Sequence, residues 1–107
     1  MDIEITEAGY LVLGADLAQA YFPNDTLLAM LRGEELWLLP TRGAGGGGLL
    51  LKQRNPAGDR SVLVREALHD RYAPGMCPAF WDDRQGALRV ALHTTPGVAA
   101  EVTGAAP

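Results

Sequence analysis

Apolar and polar positions along the chain alternate over short stretches and rarely recur with helical spacing. Ile3 and Ile5 alternate with Glu4 and Thr6, which predicts a short edge-like strand. Gly9 then breaks the chain, and "YLVL" (Tyr10–Leu13) reads as a second strand. In "GADLAQAYFPND", Leu17 and Tyr21 are four apart, as are Ala18 and Phe22, so one side of a short helix is apolar. Pro23 cannot extend it, and Asn24-Asp25 supplies turn chemistry. In "TLLAMLRGEELWLLP", the apolar runs Thr26–Leu31 and Leu36–Leu39 flank Arg32-Gly33-Glu34-Glu35. Leu, Ala and Met over Leu27–Leu31 also favour helix. Gly33, which can take the positive φ of a tight reversal, and the following "ELWLL" favour a hairpin that ends at Pro40.

The second half repeats this style. Leu49–Arg54 and Ser61–Leu68 flank "NPAGD", where Pro56 presets one turn residue and Gly58 permits another, giving a second hairpin. "HDRYAPGMCPAFWDD" reads as a loop broken by Pro74, Gly75 and Pro78, with a brief strand at Ala79–Asp82. "DDRQG" is a turn, and "ALRVAL" closes a third hairpin. Leu88, Val90 and Leu92 point one way, with Arg89 and His93 the other. With no strands alternating with long helices, a parallel α/β sheet is not expected. The expected fold is mainly β (α+β): a small antiparallel barrel or sandwich of consecutive hairpins, with one short helix plugging an end. Residues 1–95 are expected to form a single β-rich domain and 96–107 a frayed, small-residue tail.

The run Gly45–Gly48 invites three readings: a linker between domains, a phosphate-cradling loop, or slack between strands of one sheet. Phosphate loops end in Gly-Lys-Ser/Thr and open a helix. Here Lys52 comes only after three leucines, inside an expected strand, and neither flank makes a domain alone. The run therefore reads as a flexible loop within one sheet system.

Composition narrows the function. At 107 residues the chain suits one domain, and 48% apolar with 21% charged residues is globular. A net charge of −4, with 9 basic against 13 acidic residues, disfavours nucleic acid, which usually meets a concentrated positive face. The single cysteine, Cys77, cannot staple the fold, which suits a reducing compartment. "MDIEITEAGYLVLG" lacks the basic and long apolar regions of a signal peptide, and no run approaches the roughly 18–20 apolar residues of a span. The expected location is the cytoplasm, and the Ala/Gly/Leu/Arg-rich composition reads as bacterial.

Candidate chemistry is thin. Cys77 is the reactive-thiol candidate, with His69 (beside Asp70) or His93 as its base, against the plainer reading of a cysteine buried in a proline-bracketed loop. No C-x-x-C or H-x₃-H spacing occurs, and no metal or cofactor is expected. Glu34-Glu35 and Asp82-Asp83 read as solvated turn acids, because adjacent strand residues face opposite ways. Lys52, Arg54, Arg60 and Arg65 read as one basic patch on the second hairpin. It would hold an acidic partner or a phosphate backbone, or else be a solvated face that resists edge pairing. Trp37, among leucines, reads as core. Phe80 and Trp81 face opposite ways, which makes Trp81 a candidate contact anchor.

The strand "YLVL", the helix "ADLAQAYF" and the strands "TLLAML" and "ELWLLP" around Gly33 together resemble the AbrB-type swapped-hairpin DNA-binding module. The resemblance covers Gly9–Pro40 and implies an intertwined, DNA-binding dimer. Leu13-Gly14 stands where that family carries Ile-Pro, and Arg32 is the one basic residue at its DNA-facing positions. "GGLLLKQRN" and "GDRSVLV" look like small accessory proteins of bacterial metalloenzyme maturation, such as that of hydrogenases. Three functions are carried forward. The first is a non-catalytic protein-interaction or accessory domain, meeting another protein or itself and assisting a larger enzyme complex. The second is an AbrB-like DNA-binding dimer, and the third a small thiol enzyme centred on Cys77. The alternation in the last strand is directly checkable by urea denaturation. Val90→Ala and Leu92→Ala should each cost about 1–4 kcal/mol, and Arg89→Ala should stay within about 0.5 kcal/mol of wild type.

Overall fold

The computed structural model describes residues 1–42, 48–69 and 71–93. The glycines of the run before Gly48, Asp70 and the expected tail lie outside the described residues. Within them the chain forms β1 (Asp2–Ile5), β2 (Tyr10–Leu13), α1 (Ala15–Tyr21), β3 (Thr26–Arg32), β4 (Glu35–Pro40), β5 (Leu49–Leu50), β6 (Lys52–Gln53), β7 (Arg60–Leu63), β8 (Gly75–Asp82) and β9 (Ala87–Ala91). All pairings are antiparallel, in the order β5-β3-β4-β9-β8-β1-β2-β7-β6. The first and last strands of that order are neighbours in the chain, separated by Leu51 alone, so the sheet curls into a nearly closed barrel. The mainly β fold with a single short helix is the one the hydrophobic pattern predicts.

Turn chemistry fixes the hairpins where the sequence placed them. Arg32 pairs with Glu35 across Gly33-Glu34, and Gly33 has φ +63, the glycine-first arrangement of a tight hairpin turn. At the β8–β9 reversal, Asp82 Oδ1 accepts hydrogen bonds from the backbone N–H groups of Arg84 and Gln85. Asn55 and Asp59 lock the β6–β7 turn through Asn55 Nδ2 donating to Asp59 Oδ2 and Asp59 N–H donating to Asn55 Oδ1. The helix has no side-chain cap from Gly14. The Ala15 N–H instead donates to Asp59 Oδ1, which ties α1 to that turn.

The inward face of the barrel is one apolar cluster. It includes Ile5, Leu11, Leu13, Leu27, Leu36, Leu38, Val62, Leu88 and Val90. α1 closes one end with Ala18 and the following Phe22, while Tyr21 stacks on Trp81 of β8 at 4.5 Å and 14°. Val64 and Leu68, in the turn after β7, are fully buried and fill the other end.

Four local expectations are corrected. The stretch Leu49–Arg54 is not one strand but two short ladders, β5 on β3 and β6 on β7. Between them Leu51 turns inward, 3% exposed, and donates its N–H to Asp25 O at 2.7 Å. The strand expected over Ser61–Leu68 stops at Leu63, because the chain then folds into a turn in which the Leu68 N–H donates to Val64 O. The supposed loop before Ala79 is the first half of β8. Gly75–Pro78 pairs with β1, from Ile5↔Gly75 to Asp2↔Pro78. Pro78 has no N–H to offer on the β9 side, and the β8–β9 ladder begins at Ala79↔Val90. Trp37 is not core: Leu36 and Leu38 face inward, so strand parity turns Trp37 out.

In the segment that resembles the swapped-hairpin module, β2, α1, β3, the Gly33 turn and β4 occur in that order. Within this chain β5 and β9 flank the β3–β4 hairpin.

Two glycines separate backbone conformation from crowding. Gly9 has φ +90, and a Cβ there would lie 2.6 Å from Arg65 Cβ, whereas Gly33 has φ +63 and open space. In chemical denaturation, Gly33→Ala should lose about 1–2 kcal/mol from its left-handed backbone alone. Gly9→Ala should lose more, since the Arg65 stem must also move. Equal losses would show that crowding at Gly9 carries no weight.

Candidate interaction surface

β3 is apolar on both of its faces. Leu27 is buried, and Ala29 and Leu31 pack against the core, while Leu28 and Met30 point outward. Register then builds a continuous outer surface. Leu28 lies opposite Leu39. Met30, Trp37, Arg89 and Phe80 form one row across β3, β4, β9 and β8. Leu50, opposite Thr26, extends the surface over β5. Leu28 is 45% exposed, Met30 44%, Leu50 55% and Phe80 49%. These are large apolar side chains left to water on adjoining strands, the kind of patch that marks a contact site.

Arg89 organises the centre of this surface. Its Nε and one terminal nitrogen donate to Glu35 Oε1 at 3.0 and 2.8 Å, and its other terminal nitrogen donates to Asp82 Oδ2 at 2.9 Å. Trp37 Nε1–H donates to the same Glu35 oxygen at 3.1 Å. The Arg89 guanidinium lies 4.8 Å from the Trp37 ring centre and 4.9 Å from that of Phe80, and Arg32 lies 4.7 Å from Trp37. Bonded and stacked in this way, the guanidinium holds the two aromatic rings in place. Hydrogen bonds from Arg89 and then Trp37 hold the Glu35 carboxyl below its ordinary pKa. Arg89, followed by the Gln85 N–H, does the same for Asp82. Both carboxylates in turn raise Arg89. The two acids are therefore not free turn charges, as their sequence positions suggested, and the expectation that Arg89→Ala is nearly silent is corrected, because removing the side chain breaks three hydrogen bonds and two aromatic contacts at once.

The basic residues singled out in the sequence do not form one patch. Arg60 faces the α1 end, where its Nε donates to Asp25 Oδ1 at 3.1 Å and a terminal nitrogen donates to Gly58 O. Arg65 lies past β7, in the turn beside Gly9 and Tyr72. Lys52 and Arg54 are exposed, Arg54 beside Thr6, Tyr10 and Ser61. Trp81 is half-buried against Tyr21, with its Nε1–H donating to Asp83 Oδ1 at 2.8 Å, so Phe80 is the exposed member of that pair.

Cys77 lies on the inward face of β8 with no exposure. Burial pushes its thiol up, with the His93 backbone N–H pulling weakly the other way. A nucleophilic cysteine needs the opposite shift and access. His93 Nε2 donates to Met76 O at 2.7 Å and is not set on the sulfur. A 420 Å³ recess beside α1 includes Gln19, Phe22, Asp25, Gly58 and Arg60, but Arg60 is already committed to Asp25 and Gly58.

Among the described residues no three of His, Cys, Asp and Glu come together as a metal set, and no helix is long and apolar enough to cross a membrane. No protein-family model, curated protein or solved structure matches the chain.

The sequence did carry a signal for the outer face. "TLLAML" is apolar at both parities, and a strand with one wet face would not be. The Arg89 pairs make that face pH-sensitive. Both carboxylates have depressed pKa values when folded. Their contribution is therefore complete above the ordinary carboxylate range, near pH 4, and is lost as pH falls through the lower folded values. Urea denaturation of wild type and Arg89→Gln should show a stability gap at pH 7 that narrows steadily as the pH is lowered below about 4 into the acid range. A gap that persists unchanged there would mean that Arg89 acts through its aromatic contacts alone.

Proposed function

We propose that the protein is a non-catalytic interaction or accessory domain that docks on another protein through the outer face of β5, β3, β4, β9 and β8. The observation that carries this reading is the row Met30–Trp37–Arg89–Phe80, with Leu28 and Leu50 beside it. Large apolar side chains stand exposed around an arginine whose own hydrogen bonds are met within the chain. Interface centres favour Trp, Tyr and Arg in well-ordered settings, ringed by contacts that exclude water. A rigid Trp37–Arg89–Phe80 stack supplies such a centre with little side-chain entropy left to lose on binding. The full burial of Cys77 favours this reading over a thiol enzyme.

The test begins with a photo-crosslinking residue at position 30 to trap the partner in native cell extract. That partner is then titrated against variants of the full chain. Met30→Asp and Phe80→Asp should each weaken binding by at least about tenfold, the scale of a contact worth more than 1 kcal/mol. Lys52→Ala should stay within about twofold. Full affinity in both aspartate variants rejects this face, and a loss confined to Lys52→Ala moves the contact to the β6–β7 hairpin.

A further inference from the structure

The half of the sheet made by β1, β2, β7 and β6 carries a site of a different kind. Thr6 closes the β1–β2 hairpin. Its N–H donates to Tyr10 O, and its Oγ1 accepts the Tyr10 N–H at 3.1 Å. Leu11 and Val62 are buried, so parity turns Tyr10 of β2 and Ser61 of β7 outward. Lys52 of β6 pairs with Ser61, and Arg54, two residues on, donates its N–H to Asp59 O. Arg54 therefore shares the outward face. These elements meet around a 330 Å³ recess lined by Thr6, Tyr10, Arg54 and Ser61.

Each of the four side chains can donate a hydrogen bond, and no acid lines the recess. Thr6 and Ser61 are half-buried, Arg54 is exposed, and Tyr10 is 42% exposed. Thr6 Oγ1 uses a lone pair on the Tyr10 N–H and keeps its own proton to give. Among the described residues nothing accepts from that hydroxyl, from those of Tyr10 and Ser61, or from the Arg54 guanidinium. Arg54 differs in this from Arg60 and Arg89, whose guanidinium groups are bonded within the chain. Asp59, the acid across from Arg54, has both oxygens engaged, Oδ1 by the Ala15 N–H and Oδ2 by Asn55 Nδ2. Lys52 stands beside Ser61, outside the lining, and adds a second positive charge nearby.

Three hydroxyl rotors and one guanidinium fork around a single recess suit a group that only accepts and is negatively charged. A phosphate monoester offers three terminal oxygens and carries nearly two charges above its second pKa. Two of those oxygens can take the arginine fork, which leaves acceptor positions for the hydroxyls. A carboxylate has only two oxygens and leaves donors unmatched. The Tyr10 ring flanks the recess as a wall for whatever carries the phosphate. We propose that this recess binds a phosphate group, held by the Arg54 guanidinium and by the hydroxyls of Thr6, Tyr10 and Ser61. The recess lies apart from the docking face of β5, β3, β4, β9 and β8, so neither reading depends on the other.

The test is an NMR titration of the isotope-labelled full chain with phenyl phosphate, inorganic phosphate and phenylacetate. It is run at constant ionic strength and about pH 7.5, above the second phosphate pKa. Phenyl phosphate should saturate with a dissociation constant of about 1 mM or below. The Arg54 Nε–H and the amides of Thr6, Tyr10 and Ser61 should shift together. Arg54→Gln should weaken binding at least about tenfold, and Ser61→Ala about threefold. Neither side chain is bonded within the described chain, so both variants should keep the wild-type spectrum elsewhere. Arg84→Gln, which alters an exposed arginine of the β8–β9 turn, should leave binding unchanged. Tighter binding of phenyl phosphate than of inorganic phosphate assigns the site to a phosphate carried on an organic body against Tyr10. Equal affinity for the two assigns it to free phosphate. Failure to saturate by about 10 mM overturns the proposal. So does phenylacetate binding as tightly as phenyl phosphate, or Arg84→Gln costing as much as Arg54→Gln, which would mark general attraction of anions to surface charge.

Discussion

A sheet made of such short strands survives only if its two open edges are dealt with, and in this protein both edges belong to the same piece of chain. Leu49–Leu50 pairs with β3, Lys52–Gln53 pairs with β7, and Leu51 between them is driven into the core. The bond from the Leu51 N–H to Asp25 O ties that bend to the start of β3. One buried leucine and one backbone hydrogen bond thus turn an open ribbon into a near-barrel. The inward residues of β1, β2 and β7 can then meet those of β3, β4 and β9 in one cluster. Strand ladders this short have little stability of their own, so the closure and the apolar core depend on each other.

Hairpins were legible because their turns rest on local chemistry. Gly33, Asn55 with Asp59, and Asp82 each act within a few residues, and the sequence displays such relations directly. The bend at Leu51 was not legible, because "LLLKQR" reads as one strand until the partners on either side are known. β8 was hidden by its prolines and glycine, which mark loops in most settings. Here Pro78 simply falls where the ladder to β9 ends. The basic patch dissolved for a similar reason. Nearness in sequence put Arg60 and Arg65 with Lys52, while parity and the turn after β7 sent them elsewhere. Arg89 looked expendable because its acidic partners come from two separate turns that only the sheet brings together.

The proposed function starts from what the barrel leaves uncovered. A strand that is apolar on both sides satisfies the core with one face and leaves the other unfinished, and β3 is that strand. Beside its outer residues, the Trp37 and Phe80 rings are held by the Arg89 guanidinium. That outer face is the surface on which the proposed docking role rests.

The placement of Cys77 gives the fold a built-in gauge. It is the only sulfhydryl in the chain, and it is walled in by the barrel's own side chains. A sulfhydryl-specific dye can touch it only when β8 parts from its neighbours. The speed at which such a dye colours the protein therefore reads out how often the barrel opens, with no engineered label and no background from a second site.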